Sequence, residues 1–225
     1  MLQLLKSLLF YIILFFFLQG FAQHEPYLFV NSSGEMGNRP ITSIVKDNNS
    51  FLWVGTYGGG LKKFDGIHVK TYRHDIYEET ALSSSIIHDL MIDQVGQLWV
   101  GSNDGLHLYN PEKDNFFRFL NNFQGKPIKV HAIESLDDEN VLVGTHQSGL
   151  FVVNYQTKSI IEVELSSNIE KKNFLIHDIK RDISNRIWVA TNLGLFQFDI
   201  NDFLLKRVKV QDQKSSRLLE KNILS

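Results

Sequence analysis

Length, composition and charge exclude several classes of protein. A chain of 225 residues with 43% hydrophobic and 12% aromatic residues can bury a large core, so it is not a disordered tail. The 23 basic and 25 acidic residues form no block of like charge, which gives no indication of a nucleic-acid partner, and the lack of cysteine excludes disulfides, thiolate metal sites and a cysteine nucleophile.

The first 22 residues have the features of a secretory signal peptide. Lys6 precedes an unbroken apolar run over residues 8–18, and small residues follow at Gly20 and Ala22. We therefore predict cleavage after Ala22, so that residues 23–225 fold outside the cytoplasm. A retained membrane anchor is the alternative, which requires that all of residues 2–22 be counted as the span of about 20 apolar residues.

One sequence phrase recurs four times in the remaining chain. The copies lie at residues 51–56, 97–102, 140–145 and 186–191. Their equivalent positions are Trp53, Trp99, Leu142 and Trp188, which are 46, 43 and 46 residues apart. A period of about 40–50 residues is typical of propellers in which each repeat forms one four-stranded blade. We therefore predict an all-β protein, a β-propeller with four four-stranded blades.

The same parts follow one another in each repeat. A first strand ends in a polar turn, and the strand with the tryptophan position comes next. The turn contains an aspartate in every copy: Asp47, Asp93, Asp137 and Asp182. A glycine then marks a tight reversal before the third and fourth strands: Gly60, Gly105, Gly149 and Gly194. The predicted blade repeats are about 41–75, 85–121, 129–165 and 174–210.

Apolar residues are expected on both faces of these strands, because neighbouring blades cover both faces of a blade. Nine positions before each tryptophan position lies an aliphatic residue predicted to fill the gap between blades: Ile44, Leu90, Ile133 and Ile179. Residues 27–31 resemble an outer strand without its own blade, and residues 221–225 resemble the start of a further blade. We therefore expect an incomplete ring from a longer propeller of about seven blades, although four blades can also close by themselves.

The repeat resembles the two-component regulator propeller repeat. The resemblance rests on Ser43-Ile44 before Asp47, on residues 52–56, on Gly60-Leu61 and on Phe64-Asp65. It recurs at residues 87–110 and 176–199 and is weaker in the third copy, where Leu142 replaces tryptophan.

In that family such repeats form the periplasmic sensor of hybrid two-component histidine kinases, which often detect carbohydrate fragments. The resemblance implies a periplasmic ligand-sensing domain without catalytic activity or cofactor. Its implied partners are an oligosaccharide or other small-molecule ligand, a second copy of the chain, and the remaining blades and signalling domains of an inner-membrane receptor with histidine kinase activity. Two alternatives remain open, an exported propeller enzyme of the polysaccharide lyase or quinoprotein type and a protein-binding propeller module.

Three histidines share one repeat position, 11 residues before the tryptophan position of their own blade. They are His88, His131 and His177, and Thr42 takes this place in the first copy. We predict a scaffold role rather than a metal site, because metal ligands must lie within ~4 Å of one ion, which the spacing of blades makes difficult. No catalytic pair is predicted either, because the turn aspartates are expected to cap backbone N–H groups and Glu78, Glu79 and Asp104 cannot be paired from sequence.

The ligand-binding candidates lie in the loops that join the second and third strands. By propeller topology these loops share one face with the connections between blades. A mixture of aromatic and planar polar side chains suits the apolar patches and hydroxyl groups of sugars. The predicted residues are Tyr57, Asn103, Asp104, His146, Gln147 and Asn192. Residues 73–80 are expected to form a lip of this site.

Overall fold

The structure is a computed structural model that describes residues 38–166 and 174–208, within the structural unit Ser33–Ser225. The predicted signal peptide and the predicted strand segments at 27–31 and 221–225 lie outside the described residues. The described ranges contain strands and turns and no helix, so they also hold no helix long and apolar enough to cross a membrane. The all-β prediction is confirmed.

The first two repeats each form a four-stranded antiparallel sheet in which consecutive strands are neighbours. The first sheet contains β1 (Ile41–Lys46), β2 (Leu52–Thr56), β3 (Gly60–Phe64) and β4 (Val69–Tyr72). The second contains β5 (Ile87–Ile92), β6 (Leu98–Ser102), β7 (Gly105–Asn110) and β8 (Asn115–Arg118). A short hairpin that the sequence did not predict follows, made of β9 (Asn122–Phe123) and β10 (Lys126–Pro127).

The third and fourth repeats have the same order of strands. The third sheet contains β11 (Val130–Ser135), β12 (Asn140–Thr145), β13 (Leu150–Asn154) and β14 (Ile160–Glu162). The fourth contains β16 (Ile176–Arg181), β17 (Ile187–Thr191), β18 (Gly194–Asp199) and β19 (Leu204–Arg207). It gains a fifth strand, because β15 (Glu164–Leu165) pairs in parallel with β19. Residues 164 and 165 therefore belong to the fourth sheet, not to the third blade as predicted.

The four sheets are packed through their first and second strands. The strands β6 and β12 are buried almost throughout, as expected for strands covered on both faces. The predicted gap-filling residues Leu90, Ile133 and Ile179 are at most 4% exposed. Ile44 is an exception at 53% exposed, because no sheet among the described residues packs on the outer side of β1. The prediction was therefore wrong for the first blade.

Second-strand glycines let each blade approach the next. A Cβ added to Gly55 would lie 2.8 Å from a methyl group of Ile87 in the second blade, and one on Gly101 would lie 2.8 Å from a methyl group of Val130 in the third. The equivalent residue of the fourth blade is Ala190. The four reversal glycines behave as predicted, with φ between 83° and 118°, a region that disfavours other residues: Gly60, Gly105, Gly149 and Gly194.

The turn aspartates cap their turns and also bind the tryptophans. One carboxylate oxygen of Asp93 accepts hydrogen bonds from the backbone N–H groups of Val95 and Gln97, and the other accepts one from the Trp99 indole at 2.8 Å. The turns at Asp47 and Asp182 repeat this arrangement.

The third turn is built differently. Its backbone hydrogen bond from Leu136 to Asn140 corresponds to the one from Asp93 to Gln97, so Leu136 occupies the aspartate position. Asp137 lies one residue later, where it caps the N–H groups of Glu139 and Asn140. Leu136 and Leu142 are both buried in one apolar cluster. An apolar pair thus replaces the aspartate–tryptophan pair in this blade.

Candidate functional site

The loops between second and third strands lie at the same edge of each sheet as the segment that enters the first strand. In all four blades the first loop residue donates its backbone N–H to the carbonyl of the residue just before the first strand, at 2.9–3.1 Å. The donors are Tyr57, Asn103, His146 and Asn192, and the acceptors are Pro40, Ile86, Lys129 and Leu175. The predicted loop residues therefore lie at the predicted edge of their sheets, which we call the loop edge.

A β-bulge places one extra residue at this edge in every blade. The pairing of β5 with β6 shifts between Ile87 and Asp89, so His88 is the extra residue. The same shift occurs at Thr42, His131 and His177. A bulge leaves its extra residue outside the regular alternation of the strand and re-aims its side chain. The shared histidine position thus coincides with a local change in backbone geometry.

Four histidines form an imidazole cluster at the loop edge: His88, His131, His146 and His177. The rings of His88 and His131 are stacked with centroids 4.3 Å apart, and the rings of His131 and His146 are 5.2 Å apart. His177 also acts electrostatically on His131. The bulged histidines of two adjacent first strands, His88 and His131, thus reach ring contact, which the sequence did not predict.

The surroundings disfavour a charge on two rings of the cluster, His88 and His131. Burial is the largest cause that lowers the pKa of His131, to about 4, and the neighbouring imidazoles and the Lys129 ammonium act in the same direction. Burial also lowers the pKa of His88, with a hydrogen bond to Asn103 opposing it. The Nε2 atoms of His88 and His177 are buried and have no hydrogen-bond partner among the described residues.

The structure brings two of the six predicted loop residues into this cluster. Asn103 interacts with His88, and His146 packs against His131. Tyr57 is 53% exposed, and Gln147 adopts a φ of 75° in its own loop.

The remaining two predicted residues support the loop backbone. The carbonyl of Asp104 accepts a hydrogen bond from the Ser83 hydroxyl. The side chain of Asn192 accepts one from the backbone N–H of Leu175 at 3.0 Å. Both contacts hold the loops against the segments that enter the first strands.

The sequence analysis gave His88, His131 and His177 a scaffold role and did not include them among the candidate ligand-binding residues, which His88 and His131 adjoin in the structure. Their recurrence at one repeat position was the available signal. Metal binding receives no support from the geometry, since residues 38–166 and 174–208 hold no group of three His, Asp or Glu side chains placed to bind one ion.

Residues of the predicted lip also line a cavity between the first two blades. Residues of the 73–80 stretch line a cavity of about 240 Å³ together with Asp114 and Phe116 of the second blade, and no predicted loop residue lines it. At this seam Asp114 accepts hydrogen bonds from the Tyr72 hydroxyl at 2.5 Å and from the Tyr109 hydroxyl at 2.6 Å. Burial opposes ionisation, but the bonds from Lys70 and both tyrosines lower the pKa of Asp114 to about 2. The bonds from Lys70 and Tyr72 to Asp114 thus link the first blade to the second.

A larger cleft of about 410 Å³ opens between the first turns of these two blades. Asn48, Lys63, Gln97 and Tyr109 are among the residues that line it. The Lys63 ammonium lies 5.3 Å from the centre of the Tyr109 ring, and the Gln97 side-chain oxygen is buried without a partner among the described residues. Nothing in the sequence pattern pointed to this cleft.

Solved structures confirm the class of fold. The extracellular domain assigned to the hybrid two-component system BT4673 of B. thetaiotaomicron superposes with a TM-score of 0.59 and 19% identity, over 79% of this chain and 22% of that one. Virginiamycin B lyase from Staphylococcus aureus superposes with a TM-score of 0.62 and 11% identity, over 79% of this chain and 58% of that one. At these identities the likeness concerns the fold alone. The chain is a β-propeller with four blades among its described residues.

Sequence comparisons identify the repeat. A family model for the two-component regulator propeller matches residues 35–58. Histidine kinase P4 of Formosa agariphila is 32% identical over 200 residues, which cover 81% of this chain and 14% of that protein. The predicted resemblance is confirmed: the chain is similar to two-component regulator propellers.

Proposed function

We propose that the chain is the periplasmic sensor region of a hybrid two-component histidine kinase and that it binds a carbohydrate-derived ligand at the loop edge without transforming it. The observation that carries this proposal is the 32% identity to a histidine kinase over 81% of the chain. The chain spans 14% of the length of that relative, so phosphoryl transfer belongs to other segments of the receptor.

The loop edge suits ligand recognition because polar side chains of several blades converge on it. Asn103 and the imidazole cluster offer planar donors and acceptors, and Tyr57 offers an exposed ring. A ligand that touches several blades at once would favour one packing of the blades. A change in blade packing is a physical route by which a bound state could reach a membrane-coupled dimer.

Thermal unfolding of the full chain against a panel of oligosaccharides tests the proposal. A ligand that binds only the folded state raises the midpoint, by an amount that grows with ligand concentration. We expect one class of oligosaccharide to raise it and Asn103→Ala to reduce the shift, whereas Asn201→Ala, on an exposed turn away from the loop edge, serves as the control. Chromatography of the same samples should recover the oligosaccharide intact. Turnover of the sugar, or a midpoint indifferent to the whole panel, would refute the proposal.

A further inference from the structure

We propose that the imidazole cluster binds an anionic group of the ligand, a carboxylate or a sulfate, and takes up protons as it does so. The inference rests on the proposed sensor function and narrows its ligand class to acidic carbohydrates. It follows from three properties of the cluster, which are its unpartnered nitrogens, the sign of the surrounding charge and the protonation state of its rings.

The unpartnered nitrogens are the first property. The Nε2 atoms of His88 and His177 are buried without a hydrogen-bond partner among the described residues, while the residues themselves are only partly buried. Buried polar atoms in folded proteins nearly always have a partner, so exceptions need an explanation. A ligand oxygen that accepts from these ring nitrogens would supply the missing bonds on two blades.

The sign of the surrounding charge is the second property. The groups that act most strongly on His131, besides burial, are three imidazoles and the Lys129 ammonium, and none of them carries a negative charge. The groups that act on His88 are Asn103, Lys129 and His146. Ring contact adds His131 to this set. Asp89 follows His88 in β5, but its carboxylate is not among the groups that act on either ring. The charged group that acts on both rings is the Lys129 ammonium, so the site complements an anion.

The protonation state is the third property. A neutral imidazole has one N–H donor and a protonated one has two, so an anion is bound better by the protonated ring. His131 is neutral at pH 7, because its folded pKa is about 4. An anion within a few ångströms raises that pKa, so anion binding and proton uptake are linked. Affinity for the anion should therefore rise as the pH falls from 7.5 to 5.5, by up to about tenfold per pH unit for each proton taken up.

Inorganic sulfate is the simplest probe of this linkage. The imidazole resonances of the full chain are followed by NMR from pH 7.5 to pH 4, in sodium sulfate and in sodium chloride at equal ionic strength. Variants His88→Gln, His131→Gln and His68→Gln assign the signals. We expect sulfate to raise the titration midpoints of His88 and His131 by about one pH unit. His68 is the internal control, because its side chain is 77% exposed and lies beside Asp65, away from the cluster.

Four results would overturn the inference. Equal movement of His68 and His131 would mean general screening, and no movement of the cluster signals would mean that it holds no anion. Zn²⁺ that shifts the cluster signals together at equimolar concentration in chloride would assign the cluster to a metal. A neutral oligosaccharide could also stabilise the chain equally at pH 7.5 and 5.5, while sulfate leaves the NMR signals of the cluster unchanged. That result would refute this inference and leave the proposed sensor function standing.

Discussion

Asp93 joins a turn to the core through a single carboxylate. One of its oxygens accepts hydrogen bonds from two turn N–H groups, and the other accepts one from the buried Trp99 indole. The residue is only 7% exposed, so these bonds replace its contact with water. The third blade replaces both partners with leucine, at 136 and 142. A buried hydrogen bond that loses one partner is costly, whereas exchange of both partners for apolar residues is tolerated. The pair is therefore expected to behave as a unit.

A double-mutant cycle on Asp93→Leu and Trp99→Leu tests this expectation. Asp93→Leu leaves the indole and two turn N–H groups without acceptors, so we expect it to destabilise the chain by about 3 kcal/mol. The double variant should be more stable than the sum of the single effects predicts, by at least ~1 kcal/mol. Urea unfolding followed by circular dichroism measures the four free energies. Additive costs would show that the two residues act independently.

His107 makes folding sensitive to acid. Its Nε2 accepts a hydrogen bond from the backbone N–H of Ser83 at 3.0 Å, so this nitrogen must be unprotonated. Burial lowers the pKa of His107 to about 4 from an unfolded value near 6.5. Because the folded pKa is the lower one, this stability is fully present above pH 6.5 and is lost as the pH falls toward 4.

We expect the wild-type chain to lose ~2 kcal/mol of stability from this residue between pH 7 and pH 5, as the linkage relation gives for these two pKa values. His107→Phe should remove that part of the pH dependence, because phenylalanine does not titrate. Phenylalanine should also fit this position, since it occupies the equivalent buried positions 151 and 196. The part of the pH dependence of stability that comes from His131 should remain. Urea unfolding at both pH values provides the comparison, with exposed His68→Phe as the control. An unchanged pH dependence in His107→Phe would contradict the assignment.

Between neighbouring blades, a second strand meets the strand that opens the next blade. Gly101 of β6 faces Val130 at the start of β11, and a Cβ there would also lie 3.2 Å from the side chain of Ile133. This close approach explains why the repeated phrase contains glycine before its final hydroxyl residue. The fourth blade has Ala190 instead, and no sheet among the described residues follows it.

Gly101→Ala should therefore destabilise the chain by about 1–3 kcal/mol through overpacking, although alanine is otherwise acceptable in a strand. Ala190→Gly is the matched control in the fourth blade, where we expect a loss of no more than about 1 kcal/mol from backbone entropy. Thermal unfolding measures the destabilisation caused by each variant. Equal effects at the two positions would mean that strand propensity, and not the blade contact, sets the cost.

The strands and turns were largely predictable from sequence, but the contacts between blades were not. The recurrent apolar phrase and the recurrent glycines located the strands, and aspartates in polar turns indicated backbone caps. The indole bond of Asp93 depends on how β6 lies over the turn, which spacing does not reveal. The bulge at His88 likewise adds one residue to a strand, and the spacing of the repeats does not reveal it.

At the scale of the whole molecule, the outer side of the first blade exposes two isoleucines of one strand. Ile41 and Ile44 are 57% and 53% exposed, whereas Leu90, which is equivalent to Ile44, is 4% exposed. Exposed apolar residues on one strand mark a surface that another molecule or segment can cover. In a longer receptor we expect this surface to contact further blades.

The isolated chain should self-associate through this surface. Ile41→Lys combined with Ile44→Lys is expected to shift it toward monomer, by at least threefold in dissociation constant, because each ammonium would have to be desolvated. Sedimentation velocity over a range of protein concentrations measures the shift. Ile183→Lys is the control, since Ile183 is a fully exposed isoleucine in a turn. Identical behaviour of all variants would locate self-association elsewhere.

The bulged position also has a consequence for evolvability. Thr42 already differs from the histidines at 88, 131 and 177, although all four blades keep the same bulge. The backbone feature is thus independent of the side chain that it presents. Selection, or a combinatorial library restricted to these four codons, could change ligand preference blade by blade while the scaffold stays intact.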